Sequence, residues 1–319
     1  MKIFLSGLEA ETKHIFEKLE REGDKLEFGL VSYFYIRKNP EMFDLIKRNT
    51  RELLVDSGAH TFQKGTAVNW ADYTKEYAEW IKKNDAPNIL GYFEMDVDVA
   101  IGYENVLKLR GILDAVTPKV IPVWHKNRGV NEFKKMCQSE KHPIVAITGF
   151  RNEDIKDDQY GAFLKYAWEH NKKVHCLGMT RVKVLEKVPF DFVDSSSWKQ
   201  TGVYGSVKIF NKGKLVNRNV KGLYKTKELS EINFEEFRKF ARYYNRKWAK
   251  ITHDLCVMLR FGISRLIKTK ERNTNESKRN GKNVNDRCII HSNHFFACSD
   301  KFWSNSGATS RSIQSPCIV

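Results

Sequence analysis

The chain lacks any run approaching the roughly 20 consecutive apolar residues that a membrane-spanning helix needs, so no membrane association is expected. Its opening stretch, MKIFLSGLEAE, holds no long apolar segment before Glu9, and a secretory leader is not expected either. Cysteine is sparse, with six in 319 residues and no closely paired framework, which points away from a disulfide scaffold and toward the cytoplasm. Acidic residues run short in one region only. Residues 1–198 carry 30 Lys+Arg against 30 Asp+Glu, whereas 199–319 carry 25 against 9, so the whole net charge of +16 lies in the last third. A field that one-sided is the footprint of phosphate binding. The composition predicts a neutral reaction chamber joined to a surface that docks a polyanion.

Eight times in the first 200 residues a short β-rich segment runs into a helical pattern. The segments are 2–6, 28–34, 52–55, 88–95, 119–123, 143–148, 173–177 and 190–194, with helical stretches at 9–21, 73–83, 102–113, 159–170 and 182–188. Such an alternation closes into a parallel (β/α)8 TIM barrel, an α/β fold whose chemistry sits on the loops after the strands. Asp56, Asp96, Asp98, His125, Gly149, Gly178 and Asp194 all fall at or just past strand ends.

Three regions are expected: the barrel over 1–205, a small basic hairpin and helical extension over 206–268, and a flexible basic tail over 269–319. Paired glycines followed by alternating Val207 and Ile209, then Phe210, predict a hairpin outside the barrel. The pattern predicts a helix over 233–250, N-capped by Asn233. Its aromatic stripe, Phe234, Phe237, Phe240, Tyr244 and Trp248, has the spacing of a buried face. Lys239, Arg242, Arg246, Lys247 and Lys250 on the same helix, with Trp198 and Lys199 just after the last strand, are the candidate nucleic-acid contacts. In the tail, Cys288, His291, His294 and Cys298 are metal-capable, but their spacing matches no standard zinc pattern, so no structural zinc is expected.

The chemistry concentrates in two strings. In LLVDSGAHTFQ, Asp56 is followed by Ser57 and Gly58; in FDFVDSSSW, Asp194 ends the eighth strand. Small residues beside each carboxylate let a ligand approach closely. Two carboxylates across a barrel mouth suit displacement at a sugar carbon, one attacking and one managing the proton of the leaving group.

DSGAHTFQ resembles the DSG-x-FQ signature of the tRNA-guanine transglycosylase superfamily, and VDSSSW resembles its nucleophile strand. LGYFEMDVD is similar to the strand carrying the base-recognition Asp, VIPVWHKNRG to the V-Q-G strand, and VAITGF and VHCLGM to the two glycine strands. The ordered set covers residues 50–200 or so. The resemblance implies a base exchange in a polynucleotide, in which guanine leaves and a 7-deazaguanine co-substrate enters, with no cofactor. It makes Asp194 the nucleophile and Asp56 the general acid/base, with Asp96 reading the base, or Asp98 if the strand is shifted. Gly149 and Gly178 would offer backbone contacts, Phe62 and Met179 would sandwich the base, and Gln63, Ser57, Gly58 and His125 would line its edge.

There are departures from the family pattern. DSGAHTFQ has two more residues than the signature between Gly58 and Phe62, His125 stands where Gln is expected, and the family's C-x-C-x-x-C zinc motif is absent after Asp194. The large C-terminal RNA-binding modules of the archaeal enzymes find no room. These differences point toward the 7-deazaguanine DNA transglycosylases of phages and bacterial modification clusters, acting on DNA in the cytoplasm, the host's if the chain is phage-encoded. Exchange on tRNA and a catalytically silent nucleic-acid-binding barrel remain the alternatives, and a homodimer is left open.

Overall fold

The computed structural model describes residues 1–9, 12–62, 68–149, 154–199 and 205–260. Among them, nine parallel strands make one sheet: β1 (Lys2–Ser6), β2 (Leu26–Ser32), β3 (Thr50–Asp56), β4 (Ile89–Phe93), β5 (Val120–Ile121), β6 (Val123–Trp124), β7 (Ile144–Thr148), β8 (Lys173–Leu177) and β9 (Phe192–Ser195). Their order is β5-β4-β3-β2-β1-β9-β8-β7-β6. The strands β5 and β6 are consecutive stretches of one path split at Pro122, whose missing N–H interrupts the ladder while its carbonyl still accepts from the Ala146 N–H at 2.8 Å. The first stretch pairs with β4 and the second with β7, so both ends of the sheet meet in one segment and the barrel closes. This is the TIM-barrel-like architecture that the strand–helix alternation predicts.

Helices α1 (Lys13–Glu22), α2 (Tyr33–Ile36), α3 (Pro40–Arg48), α4 (Trp70–Asn84), α5 (Asp98–Ile101), α6 (Tyr103–Asp114), α7 (Val130–Gln138), α8 (Tyr160–Glu169) and α9 (Val182–Leu185) cover the barrel. Four of these, α2, α3, α5 and α7, have no counterpart in the sequence pattern. The α3 start is chemically explicit: the Asn39 side chain accepts from the Met42 N–H at 3.1 Å, and Pro40 stands in the first turn where its missing N–H costs nothing. The aromatic run that reads as the end of the second strand turns helical at Tyr33, which packs on Tyr77 at 4.6 Å between ring centroids.

The two-residue period of each strand sorts side chains into two cores. Phe4, Phe28, Leu30, Leu54, Phe93, Ile121, Val123, Ile144, Ala146 and Phe192 point inward and fill the barrel. The alternate positions, Ile3, Leu5, Leu53, Val55, Val174, Cys176 and Val193 among them, face the helices. The same alternation decides where the strand-end polar residues point. Asp194 follows inward Phe192 by two and lies in register with inward Phe4; Asp56 follows inward Leu54 by two and lies in register with Ser32. Both carboxylates therefore project into the mouth above an apolar barrel interior.

Beyond the barrel, β10 (Ser206–Asn211) and β11 (Lys214–Asn219) form an antiparallel hairpin. Its two-residue turn places Lys212 and Gly213 at φ 44° and 83°, the left-handed pair that a tight hairpin of this twist requires. Helix α10 (Thr226–Arg260) begins earlier than the predicted 233–250. Asn233 is thus no cap. It is fully buried inside the helix, where its side chain accepts from the Lys208 N–H at 2.8 Å and donates to the Ser206 carbonyl at 3.2 Å, tying the hairpin down. The aromatic stripe is buried as its spacing predicts, with Phe234 edge-on to Phe16 and Trp198. Barrel and helix share one continuous core, so the extension is packed on the barrel rather than set apart. No helix of the described residues is long and apolar enough to cross a membrane.

Candidate active site at the barrel mouth

Asp194 is anchored from below. Its Oδ1 accepts from His175 Nε2 at 2.9 Å and from the Gly178 N–H at 3.0 Å. His175 is fully buried in the barrel interior among Phe93, Phe4 and Phe192, and its Nδ1 has no partner. With a proton on Nε2 the ring donates to Asp194, its one hydrogen-bond partner among the described residues. No described group bonds Asp194 Oδ2, so among the described residues one carboxylate oxygen is held and the other is not.

Asp56 sits in a different environment. Its Oδ2 accepts the Gly58 N–H at 2.9 Å. Gly58 has φ +73°, and a Cβ there would lie 2.4 Å from Phe34 Cβ, so the tight turn that aims this N–H at the carboxylate requires glycine. The turn is fixed from behind by Tyr73, whose hydroxyl donates to the Ser57 carbonyl at 2.8 Å. Burial pushes the Asp56 carboxyl up to about 6, and the charges of Asp194 and Asp96 push the same way. The surroundings of Asp56 thus favour its protonated form, the condition a proton donor needs.

On the opposite wall, His125 joins two carboxylates: Nε2 lies 2.7 Å from Asp96 and Nδ1 3.3 Å from Asp154, which also accepts from Thr148 at 2.9 Å. Burial alone would lower the imidazole pKa, but the bond to Asp96 outweighs it and the net shift is upward. Beneath this pair, the fully buried Arg128 bonds Glu94 at 2.9 Å, Asp96 at 3.2 Å and Asp98 at 3.2 Å, and Arg110 bonds Glu94 at 2.5 Å. Asp98 is buried, and although burial raises its pKa, the Arg128 bond and charge bring it below the usual range. It is therefore part of the support under Asp96, and the shifted-strand alternative is corrected: Asp96, about a quarter exposed, is the carboxylate that faces the mouth. Asp96, Asp98 and His125 bring ligand atoms within 4.8 Å of one another. The Arg128 guanidinium bonds two of the three, Asp96 and Asp98, each at 3.2 Å.

Other expected contacts fall differently. The Gly178 N–H is taken by Asp194, the Gly149 N–H by the Leu177 carbonyl at 2.8 Å, and the Gly149 carbonyl by Arg181 at 2.5 Å. Neither glycine N–H is left for a base. A Cβ on Gly149 would lie 2.7 Å from the Leu177 carbonyl oxygen and 2.9 Å from Met179 Cβ, so this glycine serves close packing of β7 on β8. Met179 is fully buried, and Phe62 packs with Phe34, Tyr73 and Trp70. Each is seated in its own wall, and neither stands as a free stacking plate. Ser57 is buried, its hydroxyl 3.4 Å from the Ala59 N–H. Gln63, Cys288, His291, His294, Cys298 and the 269–319 tail lie outside the described residues.

Trp198 is corrected outright: it is fully buried, its indole N–H donates to the Ser6 carbonyl at 2.9 Å, and it is core. Lys199 stands at the rim, where its charge acts on Glu9. Of the helix cations, Arg242 bonds Glu27 at 2.6 Å and Lys247 pairs with Glu186, so both are already neutralised; Arg246 is exposed.

Sequence reading missed His175, Arg128, Glu94, Asp154 and Glu9. Glu9, just past β1, is pushed up to about 7, chiefly by burial and partly by Asp56, while backbone N–H groups including that of Ser32 and the charge of Lys199 pull down. Its Oε2 and the Ser32 hydroxyl are both buried without a partner. They flank Asp56, which is in register with Ser32. Neither a scan against protein-family models nor a search of curated proteins finds a match for this chain.

Proposed function

We propose that the chain is a base-exchange transglycosylase that replaces guanine in DNA with a 7-deazaguanine through a covalent Asp194–sugar intermediate. The observation that carries this reading is the pair of inward carboxylates at the mouth, Asp194 with one oxygen anchored and the other bonded by no described residue, and Asp56 pushed up to about 6. In the first half-reaction the unbonded Asp194 oxygen attacks C1′, the bond from C1′ to guanine N9 breaks, and protonated Asp56 gives its proton to the departing base. In the second half the incoming base loses its N9 proton to Asp56, its nitrogen attacks C1′, and the Asp194 carboxylate is released. Atoms and charge balance, and Asp56 ends as it began.

Asp96 is the appropriate reader of a guanine-like edge, because N1–H and the exocyclic amine are both donors and an ionised carboxylate is an acceptor only. Arg128 and His125 bond it and hold it in place. The basic C-terminal third supplies the polyanion contacts, and the target base must leave its stack to reach the mouth.

The test is transfer of labelled guanine into duplex DNA, single-stranded DNA and tRNA by the full chain. Label in DNA but not in tRNA supports the reading. Label in tRNA alone assigns the same chemistry to the other nucleic acid, and binding without any label transfer assigns a silent barrel.

A further inference from the structure

The positive charge of the C-terminal third is concentrated in an element other than the helix. Residues 206–225 carry six Lys/Arg and no Asp or Glu, whereas 226–260 carry eight against five. The helix cations are largely spent on the barrel: Arg238 is buried among Asp24, Glu27 and Glu235, Lys239 bonds Glu236, Arg242 bonds Glu27 and Lys247 pairs with Glu186. By contrast, Lys212, Lys214, Arg218, Lys221, Lys225 and Lys227 are all exposed and make no ion pair with a described residue.

The hairpin's geometry turns these cations outward. Cross-strand partners share a face, and the pairs Phe210–Leu215 and Lys208–Asn217 lie over α10, with Phe210 against Tyr243 and Lys208 above the Phe237 ring. On β11 the opposite face presents exposed Lys214, Val216 and Arg218 in a row, continued by Lys221 and Lys225 in the following loop, while on β10 Val207, the partner of Arg218, is buried. Val216, Leu223 and Tyr224 on this stretch are 45%, 73% and 48% exposed. An unpaired, acid-free basic ribbon costs self-repulsion that only an anionic partner relieves.

We propose that this two-stranded ribbon is the docking element for duplex DNA, lying along the major groove with Lys214, Arg218, Lys221 and Lys225 on the phosphates. The B-form major groove, about 12 Å wide, admits a two-stranded β-ribbon, while the A-form RNA major groove is too deep and narrow. The inference rests on the nucleic-acid substrate proposed above but not on the exchange chemistry. Ribbon and mouth belong to one body, because Asn233 ties the hairpin to α10 and Phe234 ties α10 to the barrel.

The test is fluorescence anisotropy of a 20-base-pair DNA duplex with the full chain, against a salt series. The Lys214→Gln/Arg218→Gln/Lys221→Gln/Lys225→Gln variant, all at exposed positions, is expected to keep the wild-type melting temperature. It should bind roughly ten- to hundredfold more weakly at 100 mM salt, with a log–log salt slope shallower by about 2–4. Arg246→Gln on α10 should bind close to wild type. A quadruple variant whose isotherm overlays wild type overturns the proposal, as does equal binding of an RNA duplex of the same length. Ribbon-dependent DNA binding without label transfer keeps the docking inference and removes the exchange reading; label transfer with ribbon-independent binding does the reverse.

Discussion

Replacing Asp56 by asparagine should stabilise the protein, and by an amount that depends on pH. The carboxyl is pushed from an ordinary 3.8 to about 6 in the folded chain, mainly by burial. Below pH 4 both folded and unfolded chains carry the proton and the group is neutral to stability. Between pH 4 and 6 the unfolded chain loses it while the folded chain keeps it, so stability falls as pH rises. Above pH 6 the full penalty of ionising a buried carboxyl is present, about 3 kcal/mol for a rise of this size. The asparagine side chain keeps an acceptor for the Gly58 N–H, which lies 2.9 Å from the Asp56 carboxylate, and carries no charge. The variant should therefore melt roughly 5–10 °C above wild type at pH 8 and within about 2 °C of it at pH 4. Comparing the pair at each pH cancels every other titrating group. Part of the effect comes from Asp194, so in Asp194→Asn the gain from Asp56→Asn should shrink. A gap at pH 8 no larger than at pH 4 would refute the idea that Asp56 is held as an acid against its solvent preference.

The same shift gives the two half-reactions opposite pH limbs: guanine release, read as burst formation of the sugar adduct, should fall above about pH 6, and incorporation of the incoming base should rise through it. His175→Phe fits among Phe4, Phe93 and Phe192 but removes a donor to Asp194; turnover should fall roughly 10²-fold with KM and folding little changed, whereas a merely structural histidine would lose stability instead. Arg128→Met leaves Asp98 buried without its cation and Glu94 with Arg110 alone, and should cost about 3–5 kcal/mol in chemical denaturation; a cost under about 1 kcal/mol would refute its role as the counter-charge beneath Asp96.

The barrel and the direction of the two carboxylates at its mouth were legible because both follow from local pattern. Parallel strands buried on two faces read as apolar runs, and a two-residue period then fixes Asp56 with Leu54 and Asp194 with Phe192 on the inward side. The supporting residues were not legible, because their partners are distant in sequence. His175 meets Asp194 across neighbouring strands, and Arg128 meets Glu94 only once the mouth is assembled. Charge on α10 misleads for the same reason: Arg238 and Arg242 look free in the helix yet are spent on Asp24 and Glu27, more than 200 residues away. Trp198 lies next to the nucleophile string, but a tryptophan there can plug the barrel end as readily as meet a ligand, and the Ser6 carbonyl claims its indole N–H. Asn233 reads as a cap because Asn is common at helix starts; here it pairs with hairpin backbone that a helical pattern cannot reveal.

The most direct test is to incubate the protein with a guanine-containing DNA oligonucleotide in the absence of any incoming base, denature it, and measure the intact mass and the modified peptide. A sugar-linked DNA adduct is expected on the peptide containing Asp194, absent from Asp194→Asn, and discharged when a 7-deazaguanine is added. Exchange that proceeds with no adduct, or an adduct mapped to another residue, would contradict the assignment of Asp194 as nucleophile.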